Sequence, residues 1–372
     1  MSNMMIKEVI ASIEQLAPRS YAEDFDNTGL LTGSSDMKVK GVLVTLDCLE
    51  QVVDEAIDTG CNLIVSFHPI IFSGLKSLVA KDYVSRAVVK AIKNDIAIYA
   101  THTALDNAKG GVSYRMGQAI GLSGMKTLIP KKKLIKKLVT YVPTAQLEQV
   151  QEALFQAGAG KLGNYAECSF VSQGQGTFKG NEQSNPALGE RNKRSTEIES
   201  QLSLTFLPHL ENQILQALHS SHPYEEVAFE ITELENKYQD IGMGAIGNLT
   251  DPLETQAFLD LIKRSFDTGS VRYSHNFQSN KGQRKIIKTV AVLGGSGAFA
   301  INDAKAAGAD AYVTADLKYH DFFQGERLLL CDVGHYESEQ FTKNLLYEYL
   351  SEKFSNFAVL CAKARTNPVN YF

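Results

Sequence analysis

The sequence predicts an α/β protein: an outer domain on a parallel or mixed sheet, interrupted by an inserted domain of ferredoxin-like βαββαβ order. Three observations predict it. In both outer thirds of the 372-residue chain, apolar runs of strand length alternate with segments of helical periodicity. The sequence strand–helix–glycine–strand–polar cluster occurs twice, with eight residues from Gly60 to His68 and eight from Gly308 to Asp316, which suggests an internal duplication. The middle third carries a different set of elements that is complete in itself.

Taken in order, Ile6 to Leu16 has apolar residues at helical spacing and ends before Pro18. Ala22 to Leu30 is acidic and turn-rich. Val42–Leu46 is a strand, Leu49 to Asp58 a helix stopped at Gly60, and Leu63–Ser66 the next strand, which delivers Phe67-His68-Pro69. A helix over Val84 to Asn94 leads to the strand Ile96–Ala100, which delivers His102 and Asp106. In the last third Thr289–Leu293 is a strand, the Gly294–Gly297 turn opens a helix ending at Gly308, and Ala311–Thr314 delivers Asp316 and His320. Leu328–Val333 is a further strand, and Phe341, Leu345, Leu346 and Tyr349 recur at helical spacing after it.

Between these halves run a strand (Lys136 to Pro143), a helix (Ala145 to Ala157), a strand (Cys168 to Ser172), a polar stretch from Gln173 to Arg194, a strand (Ile198 to Phe206), a helix (Leu210 to His219) and a strand (Val227 to Ile231). The expected organisation is therefore an outer domain in two halves, 1–130 and 239–372, around an insertion at 131–238. Both splice points are expected in flexible segments: a lysine-rich hinge over Lys126 to Lys137, and a return marked by Gly242, Gly244 and Gly247.

Composition narrows the function. A net charge of −5 gives no global basic field and argues against nucleic acid as the partner. Five cysteines with no C-x-x-C pair argue against a disulfide framework and a cysteine zinc knuckle. No leader-like apolar segment opens the chain and nowhere do 18 apolar residues run together, so a soluble, cytoplasmic protein without membrane contact is expected.

The chemistry concentrates at strand ends. His335 and Glu339 stand one helical turn apart after a strand, so imidazole and carboxylate can converge on one point. Alone, the pair is also readable as a helix cap and a first-turn carboxylate. Four such clusters at equivalent strand ends (His68; His102 with Asp106; Asp316 with His320; His335 with Glu339) favour a metal site instead, because open α/β sheets collect ligands at that edge. Nitrogen and oxygen donors without sulfur point to a divalent ion, zinc first, with iron and manganese as alternatives. A carboxylate such as Glu339 or Asp106 could bridge two ions. The glycine turn 294–297 is equally readable as an anion cradle or a tight βα connection.

Three runs, Phe67-His68-Pro69-Ile70-Ile71-Phe72, His102-Thr103-Ala104-Leu105-Asp106 and Gly334-His335-Tyr336-Glu337-Ser338-Glu339, resemble the dinuclear-metal, toroidal-hexamer family known as GTP cyclohydrolase I type 2 homologues. Phe25 to Leu30 looks like that family's N-terminal signature, and the middle, with His222-Pro223-Tyr224-Glu225-Glu226, is similar to the CutA-like or PII-like insertion of some members. The resemblance implies metal ligation by His68, Asp106, His335 and Glu339, up to two ions per chain, catalytic roles for His102 and His320 in the same cavity, and a homohexameric ring. Phe67 departs from the pattern. It stands where the family usually has the first of two adjacent histidines, so a second ion would lack one protein ligand. The function implied is hydrolysis of a nucleotide or related small anion by a metal-bound hydroxide. The alternative is a non-catalytic metal-binding ring whose inserted domain senses a ligand or docks a partner.

Overall fold

A computed structural model describes residues 4–275 and 286–372. The chain forms two compact units, one of Met1–Pro130 with Gln239–Phe372 and the other of Lys131–Tyr238.

The larger unit holds two sheets. In the first, the parallel strands Ala97–Ala100, Leu63–Ser66, Gly41–Thr45 and Ala358–Cys361 lie side by side, and Gly29–Thr32 pairs antiparallel with Ala97–Ala100 at the edge. In the second, Leu329–Asp332, Ala311–Ala315 and Ile286–Ser296 are parallel, with Arg272–Tyr273 antiparallel at one edge and Lys237–Glu254 antiparallel on the other side, followed by Leu122–Lys132. Each sheet thus has a parallel run, of four strands in the first and three in the second, flanked by an antiparallel edge strand. The strands Gly41–Thr45, Leu63–Ser66 and Ala97–Ala100 are buried at every position. That is the signature of a sheet covered on both faces, and it explains why they read as continuous apolar runs rather than as alternation.

The helices pack by their apolar stripes. Val52, Val53 and Ala56 of Glu50–Thr59, with Ala87, Val88 and Ala91 of Tyr83–Lys93, close over Leu43, Ile64 and Ile98. Phe258, Leu259 and Ile262 of Thr255–Ser265 do the same over Val290, Val292 and Val313.

The smaller unit is a four-stranded antiparallel sheet in the order Ser169–Phe178, Ser195–Phe206, Ile135–Pro143, Phe229–Leu234. Its helices Leu147–Gln156 and Glu211–Ser221 bury Val150, Leu154, Ile214 and Leu218 against Leu138, Val142, Leu202 and Leu204. This is the ferredoxin-like βαββαβ arrangement.

Both junctions differ from the flexible segments expected there. The lysine-rich stretch lies mainly in the strands Leu122–Lys132 and Ile135–Pro143, and Gly242, Gly244 and Gly247 lie inside the 18-residue strand Lys237–Glu254. Strands Leu122–Lys132 and Lys237–Glu254 are sheet neighbours, and such pairing between segments distant in sequence overrides local composition.

Candidate metal centre

The site is built from the carboxyl ends of both sheets of the larger unit. On the first sheet, Phe67 and His68 continue past the strand Leu63–Ser66 by donating backbone hydrogen bonds to Thr45 and Leu46, at 3.1 and 2.9 Å. Thr101 and His102 donate in turn to Ser66 and Phe67. Asp47, His68 and His102 therefore leave three adjacent strands at one edge. On the second sheet, Gly295, Asp316 and His335 occupy the corresponding strand ends, and His335 opens the short helix His335–Glu339.

Across the gap the two edges meet. Glu339 Oε2 lies 3.0 Å from His68 Nε2 and 3.2 Å from His335 Nε2. The ligand atoms of these three residues fall within 4.8 Å of one another. The rings of His68 and His335 are 5.5 Å apart. Glu339 is buried, and its Oε2 accepts no well-aligned hydrogen bond although two imidazole nitrogens stand beside it. A buried acceptor in that position is expensive without a partner. Nitrogens and a carboxylate oxygen aimed at a common point, rather than along hydrogen-bond directions, suit a shared cation.

Each imidazole is fixed from behind. His68 Nδ1 is 2.8 Å from Asp47 Oδ1, and His335 Nδ1 is 2.6 Å from Asp316 Oδ2. His102 Nδ1 is 2.7 Å from Asp26 Oδ1, while the backbone N–H of Thr103 donates to Asp26 Oδ2. With a carboxylate on Nδ1, that nitrogen keeps the proton when the ring is neutral and leaves the Nε2 lone pair for a metal, the usual support for a metal-binding histidine. His102 and Asp316 hold this geometry at positive φ, 28° and 56°, which non-glycine residues adopt sparingly and mostly at functional positions.

Glycine makes the room. Gly295 has φ +66°, and a Cβ there would fall 2.4 Å from Glu339 Oε1. Its N–H donates to Ser338 Oγ at 2.9 Å. The glycine turn therefore admits Glu339 and orders its helix, and Gly294 and Gly295 still belong to the strand Ile286–Ser296.

The electrostatics follow from this arrangement. Burial alone would lower the histidines, but Asp47 and Glu339 hold His68 up to about 10, and Asp316 and Glu339 hold His335 up to about 11. His335, against the opposing effect of burial and with help from Ser296, pulls Asp316 down to about 2. Burial raises Glu339, yet the two histidines win and keep it ionised. Asp106 goes the other way. Burial and then the Glu339 charge push its carboxyl well up, and His68 and His335 only partly offset this.

These signs give a pH prediction. Without metal both imidazoles are protonated near neutrality, and a metal ligand must be neutral. Loading with zinc should therefore release about two protons per chain, and apparent affinity should rise up to about 100-fold per pH unit between roughly pH 7 and 9. Calorimetric titration in buffers of different ionisation enthalpy reads the proton count. The raised histidine values also mean that the metal-free fold gains stability below the ordinary histidine range and loses it as pH climbs through about 10 to about 11.

Of the residues singled out in the sequence, His68, His335 and Glu339 converge. Asp106, at the end of the short helix His102–Asp106, is electrostatically coupled to all three. His102 stands beside them, its ring 5.5 Å from that of His68. His320 is exposed on the 3-10 turn Tyr319–Gln324, with the Tyr319 and Phe323 rings at 5.2 and 5.9 Å, and it lies outside the converging set. Asp316, grouped with His320 in the sequence, serves His335 instead. Asp47 and Asp26 were not legible as site residues. Asp47 follows its strand just as His68 and His102 follow theirs, and that equivalence was the available signal. Beside the centre lies a cavity of about 440 Å³ whose wall includes His68, His335, Arg272, Tyr336 and Tyr371.

Two parallel-stranded halves with a histidine–carboxylate centre between their carboxyl edges define the class, and the chain belongs to the Duf34/NIF3 (NGG1p interacting factor 3) family, which it matches over residues 4–368. A Bacillus subtilis relative named GTP cyclohydrolase 1 type 2 homolog is 37% identical over 372 residues, covering 98% of each chain. A relative of the same name from Halalkalibacterium halodurans is 36% identical, again over 98% of each. The crystal structure of a Bacillus cereus protein related to NIF3 matches all of both chains at a TM-score of 0.84 and 35% identity. Among the described residues no helix is long and apolar enough to cross a membrane.

Proposed function

We propose that the chain is a metal-dependent hydrolase acting on a nucleotide or a related small anion. His68, His335 and Glu339 form the core of its metal site, Asp106 joins them, and zinc is the first candidate ion. The observation that carries this is the buried Glu339 Oε2, without an aligned hydrogen bond, between two Nε2 atoms whose opposite nitrogens are held by carboxylates. A divalent ion bound there supplies Lewis acidity toward a water molecule or a substrate oxygen.

The protein's own groups supply the rest. Asp47 and Asp316 keep the two imidazoles turned inward. His102, with Nδ1 held by Asp26, is placed to accept or return a proton at Nε2. Arg272 in the cavity wall pairs with the buried Asp332 and keeps further N–H donors for an anionic group. The implied ring of six copies belongs to the same proposal and rests on family membership; light scattering measures it.

The test is to quantify metals in protein purified without chelators and assay it against a nucleotide panel. Turnover proportional to metal content supports the hydrolase. A fully loaded protein that turns over none of the panel would instead favour the non-catalytic ring.

A further inference from the structure

A second cavity, of about 570 Å³, lies wholly within the smaller unit. The unit's helices cover one face of its sheet. The cavity is bounded by strand residues Tyr141, Glu199 and Gln201 and by the segment that follows Ser169–Phe178. Hydrogen bonds hold that segment in place: the Asn185 N–H donates to Glu225 Oε1 at 2.7 Å and the Asn192 N–H to the Gly180 carbonyl at 2.8 Å.

The floor is unusual for a strand. Ser169–Phe178 carries glycines at 174 and 176. A Cβ at Gly174 would meet nothing within 4 Å, so no packing constraint requires glycine there. A Cβ at Gly176 would fall 1.9 Å from Glu199 Oε2, so that carboxylate lies directly over the peptide. Glycine within a strand weakens it and commonly marks a close approach of a ligand or of another backbone. Glu199 is 9% exposed, and its Oε1 accepts from the Tyr224 hydroxyl at 2.7 Å. Burial and Glu199 push the Tyr224 phenol up, which keeps it a donor. Phe178 stands 6.1 Å from Tyr224, ring to ring.

We propose that this cavity binds a flat, N–H-donating heterocycle of the guanine type, lying over Gly174 with its donor edge on Glu199. Each carboxylate oxygen accepts more than one hydrogen bond, so Glu199 retains capacity beyond Tyr224. A guanine edge offers two adjacent N–H donors to a carboxylate, whereas adenine offers one amino group. Gln173, Gln175 and Gln201 add amide donors and acceptors at the walls. Glu199, Glu225 and Glu226 against the single Lys179 disfavour a phosphate. The site is therefore one for a nucleoside or free base rather than a nucleotide, and it is independent of the metal centre.

The experiment is calorimetric titration of the full chain with guanosine, adenosine and GTP, repeated with Gly174→Leu, Glu199→Gln and Glu339→Ala. Guanosine should bind saturably, at least tenfold tighter than adenosine and no weaker than GTP. A Cβ at Gly174 enters open space, so Gly174→Leu should project into the cavity and abolish binding while metal content stays unchanged, and Glu199→Gln should weaken binding at least tenfold. Glu339→Ala should leave guanosine binding intact, which separates this site from the metal centre. Absence of saturable guanosine binding, or binding undiminished in Gly174→Leu, overturns the proposal.

Discussion

Glu339→Ala should strip the divalent ion from the protein and leave both sheets of the larger unit folded. Glu339 contributes the oxygen that lies 3.0 and 3.2 Å from the two Nε2 atoms, and it is the carboxylate of the three-residue group whose ligand atoms converge, Asp106 standing outside that group. Loss of a supporting residue behind a ligand already costs about 10–100-fold in metal affinity, so loss of the ligand itself should cost at least about 100-fold. The fold should tolerate it, because the sheets rest on apolar clusters such as Val290, Val292 and Val313 with Phe258 and Ile262. His335→Ala should behave alike. His320→Ala, on its exposed turn, should leave metal content unchanged. Metal analysis after gel filtration and far-ultraviolet circular dichroism make the comparison, and full metal content in both Glu339→Ala and His335→Ala would end the assignment.

Phe67→His should convert one tightly held ion into two. Phe67 is fully buried, its ring 4.8 Å from that of His68 and 5.6 Å from that of His102, at the position where the family resemblance expects an imidazole ligand. A phenyl ring supplies no lone pair. The neighbouring ion keeps His68, Asp106 and Glu339, although burial and the Glu339 charge push the Asp106 carboxyl up, so a metal that binds Asp106 must displace its proton. The wild type should therefore keep one ion through purification and yield any second to a mild chelator. In Phe67→His the affinity of the second ion should rise about 10–100-fold, at a stability cost of about 1–3 kcal/mol for placing a polar ring in an apolar site. Metal stoichiometry under graded chelation reads both effects. Two equally resistant ions in the wild type would mean that another residue had replaced the missing ligand.

Much of this was legible in the sequence because the relevant signals are local. The helix Ile6–Leu16 and the strand Leu63–Ser66 announce themselves by periodicity and by an unbroken apolar run, and Gly60, in the left-handed conformation at φ 71°, closes its helix as expected. What stayed hidden depends on partners far along the chain. The strand Gly29–Thr32 sits in a turn-rich acidic segment and exists by pairing with Ala97–Ala100. The strands Leu122–Lys132 and Lys237–Glu254 read as linkers because lysine and glycine are poor strand formers. At the site, histidines at strand ends drew attention through their metal chemistry, as did Asp316, but the other two carboxylates that orient imidazoles did not. Asp47 and Asp26 lie 21 and 76 residues from the imidazoles they hold, and no spacing rule connects them.

X-ray absorption of the zinc-loaded protein reads the donor set of the His68–His335–Glu339 centre. The predicted spectrum shows only nitrogen and oxygen neighbours at about 2.0–2.2 Å, with the multiple scattering of two imidazoles. A sulfur shell at about 2.3 Å, or no imidazole signal, would place the ion elsewhere and contradict the His68–His335–Glu339 centre.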